Sequence, residues 1–586
     1  MKIWFVLLLL VALAGTAFSL DREAFTFTKY DLQVRIEPEQ QRIRVRGTIT
    51  LRNDSQTPQK NAALQISSSL TWRSIQIDGN PVQFVSQPYE SDIDHTGELS
   101  EAIVALPKEI APRGSVELTV GYEGVIVADA NRLLRIGVPK QTAVHSDWDE
   151  IGKSFTAVRG VGNVVWYPVA SESANLSEGN SLFEALGRWR AKSALSTMQV
   201  GLCVQVPAAE VRQWVLLMNN IERGDASGGG IGGADHDPNV DKCGSYAFQP
   251  LGQIVPTFVI APYGQAASED LVIYFLPAHK SQAQAFAEAA ERVKGFVGEW
   301  FGSPRSAGRV VELPDQGTSP YEAGTMLLTP LNDADPKLLQ VVMVHELTHA
   351  SFPSNRPWIY EGLAHFAQAA FRERQEKRAA ALDLLGLHRS ALMAAENLTD
   401  DQEKQLSSSK PSAREGESLI STSIEEYSRS KAAYAWWMLR DMMGAEALKK
   451  ALASYRPEQD LAPEYMPGLL QAQSQRSLQW FFDDWVYHDR GLPDFRIESA
   501  FSRQASEGNY LLTVTVENLG AAGAEVPVTA RFEGGELSQR IEVRGKSKAV
   551  VRISTPKPAS EVVVNDGSVP ESDVGNNVFR VDPTKK

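Results

Sequence analysis

Hydrophobic and polar residues alternate with a period of two in the first half of the chain and again near its end. The alternation is clear in residues 30–53, 115–127 and 255–264, where Pro and Asn-Asp signals interrupt it, and this is typical of β-strands. From about residue 270 the apolar residues recur every three to four positions, as in 282–302 and 335–352, which predicts helices. The pattern therefore predicts a β-rich beginning, a helical middle and a β-rich end.

The first twenty residues differ from the rest. Lys2 precedes a nearly unbroken apolar run from Ile3 to Gly15, and small residues at Ala17 and Ser19 suit cleavage. The run is shorter than the roughly 20 apolar residues of a membrane span, so it is typical of a secretory signal peptide, with an uncleaved anchor as the alternative. We expect an exported protein, periplasmic or secreted, with no membrane span after the signal is removed.

The pattern divides the chain into four parts. Residues 1–19 are the predicted signal peptide, 20–266 an N-terminal all-β domain, 267–494 an α-rich domain, and 495–586 a C-terminal Ig-like β-sandwich. A glycine-rich stretch at 223–244 and a polar stretch at 407–423 are predicted to be surface loops.

Composition excludes several classes of protein. The 58 Lys and Arg residues against 72 Asp and Glu give a net charge of −14, which argues against a nucleic-acid partner. A hydrophobic fraction of 43% and a charged fraction of 22% exclude disorder for most of the chain. In an oxidising compartment Cys203 and Cys243 could form one disulfide, and two buried thiols are the alternative.

The chemistry is concentrated in one predicted helix, which Asp335 caps and Pro336 opens. His345 and His349 are four residues apart, so both imidazoles project from one face and can reach one Zn²⁺ ion. Glu346 lies beside the first histidine and can accept a proton from a water that the metal acidifies. Two ordinary surface or core histidines are the alternative interpretation.

A catalytic zinc site uses three protein ligands and keeps one position open. A histidine six residues after His349 would indicate a metzincin, but this position is Asn355. The next predicted helix carries Glu361 and, four residues later, His365, on the same face. We predict that Glu361 is the third ligand and that His365 has a supporting or surface role.

The segments HELTHASF and WIYEGLAHF resemble the gluzincin metallopeptidases, in particular the aminopeptidase N family. In that family H-E-x-x-H is followed by W-x-x-E-G-x-A, which Trp358, Glu361, Gly362 and Ala364 match. The family typically has eighteen residues between the second histidine and the glutamate, whereas this chain has eleven, so the turn between the helices must be shorter. The resemblance implies a thermolysin-like fold for residues 267–494, one bound zinc ion and peptide substrates.

The resemblance also suggests roles for residues outside the two helices. Glu322, in SPYEAGTMLLTP, matches the glutamate that binds the substrate α-amine, with an ordinary exposed glutamate as the alternative. The family's oxyanion-stabilising tyrosine falls on Arg429, and Tyr427 lies two residues earlier. We favour Tyr427 as the oxyanion donor, although the guanidinium of Arg429 could also serve.

These residues predict an exported zinc aminopeptidase. Three alternatives stay open: a zinc endopeptidase with the same site, an enzyme that hydrolyses an epoxide or another small molecule, and a non-catalytic binding or assembly protein with structural zinc. Glu346 argues against the last, because a structural site needs no general base.

Overall fold

The computed structural model describes residues 20–179, 181–220, 231–232, 239–406, 418–422, 424–488, 490–506 and 508–581. The predicted signal peptide at 1–19 and most of the two predicted loops at 223–244 and 407–423 lie outside these residues. Among the described residues, no helix combines the length and the apolar composition that crossing a membrane requires.

The N-terminal region is built from β-sheets. An eight-stranded sheet has the order β13-β14-β11-β1-β2-β8-β4-β5, a three-stranded sheet the order β3-β7-β6, and a four-stranded sheet the order β12-β15-β10-β9. The elements are β1 (Phe25–Glu37), β2 (Arg42–Asn53), β3 (Gln59–Ser67), β4 (Leu70–Ile77), β5 (Asn80–Pro81), β6 (Phe84–Glu90), β7 (Glu98–Ile110), β8 (Ser115–Val125), α1 (Asn131–Arg135), α2 (Lys140–Ser146), β9 (Glu150–Ile151), β10 (Thr156–Val158), α3 (Ser181–Ser193), β11 (Thr197–Pro207), β12 (Val215–Met218), β13 (Ile231–Gly232), β14 (Asn239–Phe248) and β15 (Phe258–Ala261).

Strand β1 illustrates why this region forms sheets. Leu32, Val34 and Ile36 are buried, and the residues between them are more exposed, as the period of two predicts. Cys203 on β11 and Cys243 on β14 face each other in the antiparallel register and form a disulfide. The alternative of two free thiols is therefore wrong.

The middle region combines a five-stranded sheet, β16-β17-β18-β20-β19, with helices. Strands β17, β18 and β20 are parallel, and β19 pairs antiparallel with β20 at the edge. The elements are β16 (Gly264–Ala267), β17 (Leu271–Phe275), α4 (Lys280–Phe301), β18 (Gly308–Glu312), β19 (Tyr321–Ala323), β20 (Met326–Thr329), α5 (Pro336–Ser351), α6 (Pro357–Glu376), α7 (Arg378–Leu406), a π-helical segment (Tyr427–Lys431), α8 (Ala432–Met443), α9 (Ala445–Ser454), α10 (Tyr465–Gln473), α11 (Gln479–Phe482) and a second π-helical segment (Asp483–Tyr487).

Helix α4 shows the physical basis of the helical region. Its buried residues Ala283, Phe286, Ala290, Val293 and Val297 recur every three to four positions and form one apolar face. The predicted order, a β-rich beginning followed by a helical middle, is confirmed. The predicted domain boundaries stay a prediction.

The C-terminal region contains two antiparallel sheets with the orders β21-β22-β25 and β24-β23-β26-β27. The strands are β21 (Phe495–Ser506), β22 (Asn509–Asn518), β23 (Ala524–Phe532), β24 (Gly535–Val543), β25 (Lys548–Thr555), β26 (Ala559–Val564) and β27 (Val578–Arg580). Trp485 joins this region to the helices, because its indole N–H donates a hydrogen bond of 2.7 Å to the carbonyl of Gly523. Classification as an Ig-like sandwich stays a prediction.

Candidate metal centre

Helix α5 begins at the predicted cap and carries both candidate histidines. The side chain of Asp335 accepts a hydrogen bond from the backbone N–H of Lys337 at 2.7 Å, and Pro336 occupies the first helical position. The spacing of His345 and His349 brings their Nε2 atoms to 3.1 Å from each other. Two imidazole nitrogens therefore converge on one point, as the sequence predicts.

Helix α6 carries Glu361 toward the same point. Gly362 allows its close approach to the π-helical segment and α8, because a Cβ there would lie 2.6 Å from the Cβ of Ala432. Trp358 stacks on Trp436 with ring centroids 5.0 Å apart and accepts its indole hydrogen bond at the backbone carbonyl. The W-x-x-E-G pattern thus packs the helix tightly and fixes the position of Glu361.

Glu322 reaches the imidazoles from the edge strand β19. One carboxylate oxygen lies 3.0 Å from Nε2 of His345, and the other lies 2.7 Å from Nε2 of His349. The glutamate that the resemblance assigns to amine binding therefore contacts both candidate metal ligands directly.

These four side chains form a candidate metal-binding cluster: one ligand atom from each of Glu322, His345, His349 and Glu361 lies within 4.8 Å of the others. Imidazole nitrogen and carboxylate oxygen are ordinary zinc ligands, so the donor set fits Zn²⁺. The second nitrogen of His349, Nδ1, has no hydrogen-bond partner within the part of the chain that is described. The ring is instead held by Tyr360, which stacks on it at 3.7 Å between centroids.

Glu346 is buried beside this cluster, with 1% of its surface exposed. Burial is the main reason why its pKa lies well above the ordinary value, and the charge of Glu322 adds to this effect. The neighbouring Arg309 opposes it. Among the described residues its Oε1 atom has no hydrogen-bond partner. Glu346 is thus a carboxyl group that can take up a proton next to the candidate metal ligands.

The two candidate oxyanion donors have different surroundings. Arg429 lies in the π-helical segment, pairs with Glu425, and has its Nε atom 3.3 Å from Glu361. Burial tends to lower its pKa, but the charges of Glu361 and Glu425 outweigh burial and raise it. Tyr427 is 1% exposed in the hydrophobic core, where the Lys431 ammonium lies 5.1 Å from its ring centre. The structure therefore brings Arg429 to Glu361 and places Tyr427 in the core.

Glu322 and Glu361 of the candidate metal-binding cluster line a cavity of about 400 Å³. The cavity is lined by residues of the middle region, of helix α3 and of the loop 251–255 in the N-terminal region. The lining includes Glu322, Glu361, Arg429, Tyr360, Gln253 and Arg190. Tyr427 is absent from the described lining.

Three imidazoles from consecutive helices form a row behind the cluster. The ring centroids are 4.7 Å apart between His345 and His365, and 4.6 Å apart between His365 and His388. Burial, followed by the charge of His345, lowers the pKa of His388 to about 4. His365 thus lies behind His345, outside the candidate metal-binding cluster.

Sequence reasoning missed His388, Tyr360 and Arg190. Tyr360 directly precedes Glu361, and this adjacency was the available signal for it. His388 and Arg190 lie far along the chain from the motif, and packing alone brings them to the site.

Neither a family model nor a curated protein matches this chain. Among solved structures, the chain is similar to an M1 zinc metallopeptidase from Deinococcus radiodurans, at 15% identity and a TM-score of 0.46, covering 81% of this chain and 96% of that one. A point mutant of that enzyme gives 16% identity and a TM-score of 0.44, covering 81% and 97%.

Proposed function

We propose that this protein is an exported zinc-dependent metallopeptidase that removes N-terminal residues from peptides. The observation that carries the proposal is the convergence of His345, His349 and Glu361 on one point, with Glu361 lining a cavity. This ligand set is that of a catalytic zinc site. A zinc ion held there would polarise a peptide carbonyl and acidify a water molecule.

Glu346 is the general base in this proposal. It is buried beside the ligands, and its Oε1 atom has no described partner, so it can accept a proton from the attacking water and return it to the leaving amine. The variant Glu346→Gln keeps the shape and removes the base. We expect zinc to be retained at the parent's level and peptide hydrolysis to fall by at least about 100-fold. Equal hydrolysis by parent and variant on a broad peptide panel, read by mass spectrometry, would contradict this role.

Arg429 is the oxyanion donor that the geometry favours over Tyr427. Its guanidinium lines the cavity and stays charged, whereas Tyr427 packs in the core. Removing one such donor costs about 100-fold or more in kcat. We therefore expect Arg429→Ala to lower kcat by this factor with little change in KM, and Tyr427→Phe to leave kcat within about threefold. The reverse ranking would assign the role to Tyr427.

Glu322 is the proposed anchor for the substrate's α-amine, and this makes the enzyme an aminopeptidase. It lines the cavity next to the ligands, where a carboxylate attracts an ammonium group. Loss of a charged hydrogen bond of this kind should raise KM for free peptides about tenfold or more. If Glu322→Ala cleaves free and N-acetylated peptides in the same ratio as the parent, the amine-binding role is wrong and an endopeptidase is the better interpretation.

One observation favours a second candidate, a non-catalytic protein with structural zinc. Glu322 contacts both imidazoles, and a fourth protein ligand would close the coordination sphere. In that case Glu322→Ala should weaken zinc binding by about 10- to 100-fold. If Glu322 binds the substrate amine instead, zinc affinity in this variant should remain within about threefold of the parent.

Export is part of the proposal and has two supports. The first is the pattern of residues 1–19, and the second is the disulfide between Cys203 and Cys243, because disulfides persist in oxidising compartments. Fractionation of the native host, with mass-spectrometric identification of the mature N-terminus, tests it. Recovery of the uncleaved chain in the cytoplasm would contradict it.

A further inference from the structure

The cavity at the ligand cluster continues into a second one. The second cavity has a volume of about 370 Å³ and reaches helix α3 of the N-terminal region. The two share a wall formed by Arg190, Gln253, Tyr321, Glu425 and Ser428. Together they form a cleft that begins at Glu322 and Glu361 and extends to α3. A substrate bound at the metal ligands therefore has room to continue toward Arg190.

Arg190 is unusual among the charged residues of this cleft. Its side chain is half-buried, and within the described parts of the chain its buried Nε atom has no hydrogen-bond partner. No described carboxylate lies within ion-pair distance of its guanidinium. By contrast, Arg132 in the same cleft pairs with Asp147 at 2.7 Å. A partly buried guanidinium without a counter-charge is costly, and such a group is a natural binding point for an anion.

The negative groups that face the cleft already have partners. Glu425 and Glu361 both pair with Arg429, and Glu322 contacts the imidazoles of His345 and His349. Among the charged side chains lining the two cavities, Arg190 alone lacks an ion-pair partner within the described residues. The cleft thus contains the carboxylate of Glu322 at one end and, further along, the guanidinium of Arg190, which has no carboxylate partner among the described residues.

Gln253 adds a neutral donor to the same cleft. It lines both cavities, and its amide makes a weak hydrogen bond, at 3.4 Å, to the carbonyl of Asn355. A cleft that offers a guanidinium and an amide group suits a carboxylate, because both groups can donate hydrogen bonds to its oxygens.

We propose that Arg190 binds a carboxylate of the substrate on the side of the cleft away from Glu322. This inference rests on the proposed peptidase function and narrows its substrate class to short peptides. The two cavities, of about 400 and 370 Å³, leave room for a short peptide in the cleft. Glu322 and Arg190 would then bind opposite termini of the peptide, and a long chain would lose the second contact.

The carboxylate could be the C-terminus of a short peptide or an acidic side chain. We favour the C-terminus, because every peptide carries it whatever its sequence. Three peptides separate the sources: trialanine as the free acid, trialanine with an amidated C-terminus, and amidated Ala-Glu-Ala. Their affinities are measured by calorimetry on the full mature chain with zinc added, in the Glu346→Gln background, so that binding is read without hydrolysis.

The variants are Arg190→Ala, Arg190→Lys and the control Arg188→Ala. Arg188 lies two residues earlier on α3, is 48% exposed and lines neither cavity of the cleft. We expect the chain with Arg190 unchanged to bind trialanine with a free C-terminus at least about tenfold more tightly than amidated trialanine. A hydrogen bond to a charged group contributes a difference of this size. Arg190→Ala should remove the preference, Arg190→Lys should keep part of it, and Arg188→Ala should keep it all.

Each outcome has a distinct meaning. A preference for amidated Ala-Glu-Ala over amidated trialanine that Arg190→Ala abolishes also supports carboxylate binding and assigns it to the side chain. A preference that survives Arg190→Ala, or the absence of any preference, overturns the inference. If the chain with Glu346 intact hydrolyses none of the peptides while the Arg190-dependent preference is present, the proposed peptidase function fails and the carboxylate site remains.

Discussion

Two buried acidic clusters in this chain differ in how their polar atoms are satisfied. In the C-terminal region Glu571 is fully buried, and amide groups of Asn565 and Asn577 donate to one carboxylate oxygen while the backbone N–H of Phe495 donates to the other. In the ligand cluster, His345 and His349 direct their nitrogens at each other and at Glu322. In the first cluster both carboxylate oxygens of Glu571 thus have protein donors. The second brings acceptor atoms together, which is the arrangement that a cation stabilises.

We expect the largest difference between the two clusters in the zinc content of their variants. His349→Ala removes one ligand of three, so zinc affinity should fall by more than about 100-fold and hydrolysis should fall with it. Glu571→Gln should retain one zinc ion per chain. Zinc is measured by mass spectrometry after dialysis against a weak chelator. Equal zinc loss in both variants would show that the two clusters do not differ as we describe.

The second effect concerns stability. Glu571→Ala leaves the amides of Asn565 and Asn577 and the N–H of Phe495 without their acceptor, which should cost about 3 kcal/mol in the free energy of unfolding. Denaturant unfolding with a probe in the C-terminal region measures it. The control is Glu536→Ala, whose side chain is 62% exposed and pairs at the surface with Arg531, and we expect a change below about 0.5 kcal/mol. Equal losses in the two variants would contradict a structural role for Glu571.

The third effect is a dependence of the stability of the C-terminal region on pH. Burial is the main cause that raises the pKa of Glu571 from 4.5 to about 7, against the opposing hydrogen bonds of Asn577 and Asn565. The folded form therefore holds the proton of Glu571 more tightly than the unfolded form. The resulting contribution to the free energy of unfolding is complete below pH 4.5 and is lost as the pH rises to 7. A pKa difference of about 2.5 corresponds to at most ~3 kcal/mol. Glu571→Gln should flatten this part of the pH profile, and an unchanged slope would refute the assignment.

The smallest effect tests the helix that carries the ligands. Asp335→Ala removes the N-cap of α5 and should lower stability by about 1 kcal/mol while zinc stoichiometry stays at the parent's value. Asp333→Ala is the matched control, because Asp333 is exposed, lies two residues earlier and does not cap the helix. A loss of zinc in Asp335→Ala would mean that the ligand geometry depends on the cap more than on the packing of α6.

The sequence predicted those parts of the site that local periodicity determines. The helical repeat places His345 and His349 on one face, and the cap and proline mark where that helix begins. The position of Glu361 can be predicted in the same way, because a helix that packs back on α5 presents one of its faces to α5. These inferences need a repeat of 3.6 residues and a short connection between helices.

Positions that tertiary packing determines could not be predicted in this way. Arg190 reaches the cleft because α3 packs on β1 of the N-terminal region and lines both cavities. His388 reaches the row of imidazoles because α7 packs against α6. The orientation of Tyr427 was also beyond local reasoning, since a π-helical segment changes which side chains face the core. Neither the edge position of β19 nor the contact of Glu322 with both imidazoles has a signature in residue spacing.

X-ray absorption at the zinc edge, on the full mature chain, tests the central claim most directly. We predict one zinc ion per chain with two imidazole nitrogens at about 2.0–2.1 Å and the remaining ligands oxygen. His349→Ala should reduce the imidazole contribution from two nitrogens to one, or remove the ion. A chain that retains no zinc, or a zinc environment without imidazole, would contradict the account.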